Sequence, residues 1–269
     1  MSLGKLLVCI FVVFNCFSFE NKFVILIPSY NNARFFKNNL NSVIKQNYQN
    51  YRIIYIDDAS TDNTYYLVQD FLKSYNKKLD VKLKRNLQNQ GGLSNFYHTI
   101  HQDVMDDEIV ICLDGDDQLA DNNVLCFLNH IYENEVSETN QAIWLTYGQF
   151  KKTSGSLGFA KEYPKKIIEN RLFREFPWRA THLKTFRAWL FKKIKKEDLL
   201  FNGSFFPFCS DLAFMFPMLE MGKNHIKYIQ EVLYIYNIVN PTNVFKISRS
   251  QQDFYNQYIR SLKSYSSLD

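Results

Sequence analysis

The feature that most constrains this chain is a series of short apolar runs, each stopping abruptly at polar residues. Phe23-Val24-Ile25-Leu26-Ile27 has no polar side chain, as expected of a strand covered on both faces in a parallel sheet. It stops at Pro28-Ser29-Tyr30-Asn31-Asn32, and apolar residues then fall at helical spacing through Phe35, Phe36, Leu40, Val43 and Ile44. Tyr51 to Ile56 repeats the pattern and stops at Asp57-Asp58-Ala59-Ser60-Thr61-Asp62. Ser60 or Thr61 is placed there to cap a helix carrying Leu67, Val68, Phe71 and Leu72. A shorter strand at Val81 to Leu83 leads to Arg85 and then Asn89-Gln90-Gly91-Gly92, a loop opening another helix. The fourth run, Ile109 to Leu113, drives into Asp114-Gly115-Asp116-Asp117.

The order β-α-β-α-β-α-β predicts an α/β fold, with a mostly parallel central sheet and helices on both faces. Ligands of open sheets collect at the carboxyl ends of the strands. Pro28-Ser29-Tyr30, Asp57-Asp58, Gly91-Gly92 and the Asp114 cluster all fall at that edge. Carboxylates crowded past the end of a buried strand repel each other and lose hydration, a cost that a bound cation offsets. Oxygen-only ligands suit Mg²⁺ or Mn²⁺, particularly an ion that also holds phosphate oxygens. Taken alone, the same residues also make an acidic turn capping the next helix.

A hydrophobic fraction of 46% and an aromatic fraction of 16% in 269 residues support a substantial core and exclude a disordered chain. The net charge of +5 is mild. It suits an anionic ligand, but without a clustered basic stripe it gives no case for nucleic acid. The densest basic run, Lys192-Lys193 with Lys195-Lys196, reads as the solvated face of a helix. Lys5 followed by the apolar run Leu6 to Phe14 reads as a secretory signal, cleaved after Ser18, or as an N-terminal anchor that gives membrane association. Residues 1–20 are therefore set apart from a domain spanning 21–269. Cys112, Cys126 and Cys209 lie in apolar surroundings without Cys-x-x-Cys spacing, as buried free thiols do.

Ile27-Pro28-Ser29-Tyr30-Asn31-Asn32, Asp57-Asp58-Ala59-Ser60-Thr61-Asp62, Asn89-Gln90-Gly91-Gly92 and Leu113-Asp114-Gly115-Asp116-Asp117 resemble, in unbroken order, the successive motifs of family 2 glycosyltransferases. The resemblance covers about residues 22–130. It implies the GT-A fold, a nucleoside-diphosphate sugar donor (UDP-sugar by the form of the Asp pair), a Mn²⁺ or Mg²⁺ cofactor and inversion at the anomeric centre. Pro28 and Tyr30 would line the nucleotide pocket. Asp57 or Asp58 would accept a hydrogen bond from a uracil-like imide N–H, or cap the next helix. Arg85 and Gly91 would meet the nucleotide. Asp116 would coordinate the metal, Asp114 a ribose hydroxyl or a metal-bound water, and Asp117 the donor sugar or the metal's outer partners.

The second half splits into an acceptor and catalytic-base part (131–247) and a polar tail (248–269), expected as a helix on the surface. Trp144 to Phe150 is strand-like, and Gly155 to Gly158 form a loose loop. The stretch Trp178 to Arg187 interleaves aromatic and polar residues, as sugar- and phosphate-contacting segments do. Trp178 and Arg187 are its acceptor or diphosphate candidates. His182 is a candidate third metal ligand or diphosphate contact, and a structural histidine accounts for it equally well. Asp211, at the start of an apolar helix, reads as an N-cap. It also stands where the family carries its base, with Ser210 where many relatives have Glu. Asn240 is a further acceptor or diphosphate candidate; it replaces a His that relatives often have there, which makes His182 the more attractive metal ligand.

The resulting expectation is a metal-dependent inverting glycosyltransferase acting on a hydroxyl of a glycan, lipid or protein. A sugar nucleotidyltransferase is the weaker alternative, because Pro28 to Asn32 contains no glycine. A non-catalytic nucleotide- or sugar-binding relative is the other.

Overall fold

A computed structural model describes residues 20–75, 79–134, 141–241 and 249–268. The expected signal or anchor thus falls outside the described residues, apart from Glu20. In the first half the elements are β1 (Phe23–Ser29), α1 (Phe36–Ile44), β2 (Tyr51–Asp57), α2 (Thr64–Ser74), β3 (Val81–Arg85), α3 (Gly92–Asp103) and β4 (Ile109–Cys112). Next come β5 (Gln118–Leu119), α4 (Val124–Asn134), β6 (Leu145–Lys152), α5 (Lys165–Asn170), β7 (Lys184–Arg187) and α6 (Ala188–Lys192). The chain finishes with β8 (Leu200–Phe201), β9 (Ser204–Phe205), α7 (Ser210–Gly222), β10 (Ile226–Tyr236) and α8 (Arg249–Ser261).

Eight strands form one sheet in the order β3-β2-β1-β4-β7-β6-β10-β5. The first four are mutually parallel, whereas β7 runs antiparallel between β4 and β6. The apolar strands sort their side chains by parity. Val24, Leu26, Ile54 and Ile56 enter one core with α3 and α7, while Phe23, Ile25, Ile27 and Ile53 enter the other with α1 and α4. Both faces are thereby covered, as continuous apolar runs require. The edge strand β3 alternates Lys82 and Lys84 with apolar residues, and edge lysines discourage pairing with another chain.

Two helical details differ from expectation. Ser60 and Thr61 do not cap α2. Asp62 Oδ1 accepts the Thr64 N–H at 2.9 Å, while Ser60 Oγ accepts the Asn31 N–H at 2.9 Å and Thr61 N–H donates to Asn31 Oδ1 at 2.9 Å. Their side of the loop ties the ends of β1 and β2 together. The tail helix α8 does more than lie on the surface. Its Ile259 is fully buried in the α7 core.

Helix α7 is apolar on all sides and buried from Leu212 to Gly222, the pattern of a helix enclosed by protein. Its one buried acid, Glu220, receives a bidentate Arg174 guanidinium at 2.6 and 3.1 Å. Arg174 also donates to the Ile259 carbonyl at 2.6 Å, and the Tyr265 N–H donates to Glu220 at 2.9 Å. The far end of α7 is thus fastened to α8 and the tail.

Candidate active site

The site begins with the turn after β4. Leu113 and Gly115 donate their N–H groups to the Leu26 and Pro28 carbonyls at 3.2 and 3.1 Å, fixing the acidic turn to the end of β1. A Cβ at Gly115 would stand 2.6 Å from Ser29 Oγ, so the motif's spacing demands glycine there. Asn39, fully buried on α1, donates to the Asp114 and Asp117 carbonyls at 2.9 and 2.8 Å. The turn feeds the short strand β5 rather than a helix, so the helix-capping alternative does not hold.

The three carboxylates have separate environments. Asp117 is enclosed: Oδ2 accepts the Tyr234 hydroxyl at 2.6 Å and Oδ1 the Asn237 N–H at 2.6 Å. Burial, then the neighbouring Asp116 and Asp114, hold its carboxyl well above the usual range. The donor-sugar contact expected of Asp117 is corrected accordingly: at 1% exposed, with its oxygens bonded to β10 and the residue after it, the side chain is closed off from a ligand and anchors the turn. Asp116 is half-buried, and its Oδ2 accepts the Asn240 amide at 2.7 Å. Burial raises its carboxyl. Asp114 is pushed up to about 6, first by burial, against the pull of Lys184 and with the push of Asp116 and Asp211.

Asp211 therefore shares the field of Asp114 although it comes from the other half of the chain. It occupies the second position of α7, after Cys209 in the capping position. The N-cap reading does not hold: Asp211 Oδ1 accepts the adjacent Leu212 N–H at 3.0 Å.

At the ends of β2 and β3, Asp58 accepts three bonds: Asn86 Nδ2 at 2.7 Å, Gln90 N–H at 2.8 Å and Gly91 N–H at 2.9 Å. Gly91 takes a positive φ of 81°, which glycine adopts at no steric cost. Asp57 is fully buried, 3.5 Å from the Arg85 Nε, and its Oδ1 has no partner. Arg85 lies over the Tyr65 and Tyr66 rings at 4.8 and 5.2 Å. Tyr30 is 40% exposed beside Pro28. The structure therefore brings Pro28, Tyr30, Asp57, Asp58, Arg85, Gly91, Asp114, Asp116, Asn240 and Asp211 to the strand-end side.

Three predicted residues sit elsewhere or act otherwise. Arg187 lies at the opposite end of β7: Lys184 faces Cys112 whereas Arg187 faces Ile109. Its guanidinium covers Tyr132 at 5.4 Å and donates to the Ile143 carbonyl at 3.4 Å, so the diphosphate role is corrected to a structural one. Trp178 packs edge-on against Phe216 of α7 at 5.2 Å. His182 stacks on Tyr234 at 4.4 Å, with Nδ1 3.2 Å from Lys184 Nζ. Burial and then the Lys184 charge keep its imidazole well below the usual range, hence neutral. Asp116 meets Asn240 rather than this ring.

Sequence reasoning missed Lys184, Tyr234 and Asn39. Lys184 is 4% exposed and no carboxylate oxygen lies within 4 Å among the described residues. It serves as the fixed cation opposite Asp114. Its signal was parity: in Lys184-Thr185-Phe186-Arg187 the lysine shares the inward side with Phe186.

Among the described residues no three His, Cys, Asp or Glu side chains are gathered for a metal. The open carboxylates there are Asp114 and Asp116, and Asn240 turns its Nδ2, a hydrogen-bond donor and not a metal ligand, to Asp116 Oδ2 at 2.7 Å. Two carboxylates completed by substrate phosphates and water are what Mg²⁺ or Mn²⁺ takes in phosphate sites, so the residues fit such an ion.

The sheet order and its strand-end carboxylates define an α/β fold of the GT-A type. Two solved structures share it. The mannosyltransferase PcManGT from Pyrobaculum calidifontis, in complex with GDP-Man and Mn²⁺, aligns over 92% of this chain and 67% of its own, with TM-score 0.59 and 15% identity. Staphylococcus aureus TarS 1–349, in complex with UDP-GlcNAc, aligns over 88% and 64%, with TM-score 0.59 and 19% identity. The chain belongs to glycosyl transferase family 2, whose model matches residues 24–196. The Streptococcus pneumoniae glycosyltransferase GlyG is 25% identical over 66% of this chain and 57% of its own. The S. aureus poly(ribitol-phosphate) beta-N-acetylglucosaminyltransferase TarS is 29% identical over 36% of this chain and 17% of its own. The chain spans less than two thirds of the length of these curated relatives.

Proposed function

We propose that this glycosyltransferase moves a sugar from UDP to an acceptor hydroxyl of a glycan, lipid or protein, with inversion and with Mn²⁺ or Mg²⁺. The observation that carries the reading is the acidic turn pinned at the carboxyl ends of β1 and β4, where Gly115 N–H donates to the Pro28 carbonyl at 3.1 Å and Asp116 Oδ2 accepts the Asn240 amide at 2.7 Å.

Pro28, Tyr30 and Arg85 hold the nucleoside, and the Asp57–Asp58 pair reads the base. Asp57 Oδ1 is unpartnered, and Asp58 has one of its four acceptor sites left after its three bonds. Asp114 and Asp116 would hold the divalent ion, with Asn240 orienting Asp116, and the ion when bound neutralises charge on the departing diphosphate. Asp211 takes the proton of the acceptor hydroxyl. That oxygen bonds to the anomeric carbon while the bond from the carbon to the phosphate oxygen breaks, and UDP leaves with the electron pair. Lys184 keeps the acidic pocket from accumulating uncompensated negative charge.

Calorimetry of UDP binding, with and without Mn²⁺, tests the reading on the full chain and on Asp116→Asn. Metal-dependent binding lost in the variant is the expected result. A folded protein that binds no nucleotide would be a non-catalytic relative.

A further inference from the structure

Beside the donor edge, on the other side of the 86–91 loop, lies a cleft of about 520 Å³ between the edge strand β3 and α3. Its walls include Asn86, Gln90, Asn95, His98 and Gln102, with Ile56 beneath. None of the lining residues is acidic. The lining lysine, Lys84, is already matched by Asp103 at 3.0 Å. The cleft is thus close to charge-neutral and dense in amides, groups that both give and take hydrogen bonds.

One of these amides is unsatisfied. Asn86 Nδ2 donates to Asp58 Oδ1 at 2.7 Å and to Asn95 Oδ1 at 2.7 Å. A carboxylate only accepts, so Asp58 fixes how Asn86 points, and Asn86 in turn fixes Asn95 with its oxygen inward. Asn95 is 5% exposed, and its Nδ2 is left without a partner. A buried donor in that state is destabilising, and an acceptor oxygen that reaches it removes the penalty. Leu87, fully exposed on the rim, offers an apolar surface.

We propose that this cleft is a binding subsite for a neutral sugar ring, holding a residue of the acceptor glycan away from the reacting hydroxyl. Amides paired with an apolar rim match the alternating hydroxyl and C–H faces of a pyranose. The cleft also adjoins the catalytic region through α3: a Cβ on Gly92, at the start of that helix, would lie 3.9 Å from Ser210 Oγ, next to Asp211. A glycan seated along α3 is thereby directed toward the base. The proposal rests on the glycosyltransferase reading and narrows its acceptor to a saccharide.

The test is a titration of the full chain with free glucose, galactose and N-acetylglucosamine, each at millimolar concentration, read by nitrogen-edited NMR of the backbone and side-chain amides. The expected result is a saturable shift with at least one sugar at Gln90, Asn95 and Gln102, persisting when UDP and Mn²⁺ are present. Asn95→Leu and the exposed Gln102→Ala should each weaken that binding about tenfold; the second variant keeps the test valid if the first does not fold. No saturable shift with any of the three sugars would overturn the proposal. Shifts confined to Tyr30, Asp114 and Asp116, or affinities unchanged in both variants, would do the same. UDP binding in the same samples reports separately on the donor site, so the subsite can fail while the glycosyltransferase reading stands.

Discussion

Replacing Tyr234 by Phe removes one oxygen and leaves the ring on His182, so the change isolates the hydroxyl. That hydroxyl donates to the buried Asp117 Oδ2 at 2.6 Å and accepts the Asp114 N–H at 3.3 Å. A hydrogen bond contributes about 1 kcal/mol net, and a buried carboxyl oxygen left unpaired costs about 1–3 kcal/mol more. A net loss of about 3 kcal/mol is expected, since the N–H bond is long and water reaches half-buried Asp114. For a domain of this size that corresponds to a fall in Tm of roughly 6–12 °C. Because Asp117 anchors the acidic turn, the donor KM should rise in parallel. Calorimetric melting and donor saturation curves measure both, with Tyr66→Phe as control. The Tyr66 hydroxyl meets only an exposed Arg85 at 3.3 Å, and its loss should stay within about 0.5 kcal/mol. A Tyr234→Phe protein melting within a degree or two of the parent, at unchanged KM, would refute the anchoring role.

Asp211→Asn should lower kcat by a factor of about 100–10,000 while UDP binding, measured by calorimetry, stays within about threefold; equal loss of both would remove its role as base. Lys184→Met should weaken donor turnover and Lys184→Arg should restore part of it, measured as kcat/KM. Full activity in the Met variant would show that the cation is dispensable. Arg187→Gln, remote from the strand ends, should leave donor KM unchanged, and an increase of tenfold or so would restore it to the donor site. In metal-free protein the Asp114 carboxyl, pushed up to about 6, contributes stability that is fully present below its unfolded value near pH 4 and lost as pH rises through 6. Relative to Asp114→Asn, urea midpoints should therefore decline across that window by an equivalent of at most about 3 kcal/mol; a flat or rising difference would contradict the crowding of the carboxylates.

The parallel half of the sheet was legible because burial on both faces leaves uninterrupted apolar runs, and because β-α alternation admits few topologies. Asp57, Asp58, Asp114 and Asp116 were legible as a group for the same reason: each follows a strand whose direction is fixed by its neighbours. The antiparallel insertion of β7 was not. Its four residues carry no length signal, and without the register Arg187 stood as a site candidate while Lys184 was missed, though two residues of strand lie between them. Asp117 read as a donor-sugar residue in sequence, and only the approach of Tyr234 and Asn237 from β10 and its exit shows it to be an enclosed carboxylate beside the open Asp116. The amides of the β3–α3 cleft were invisible, because their meaning lies in a bonding chain from Asp58 through Asn86 to Asn95.

The fastening of α7 to α8 has a consequence for the order of events during synthesis. The four parallel strands are neighbours early in the chain, but their cores are closed by α4 and α7 and their acidic turn is anchored by Tyr234 and Asn237, all made after β4. The helix that carries Asp211 acquires its last buried neighbour, Ile259, and the Tyr265 N–H on Glu220, only when the final stretch is available. The acidic turn and the helix that carries Asp211 are therefore both completed only by the last third of the chain, the turn by β10 and its exit and the helix by α8.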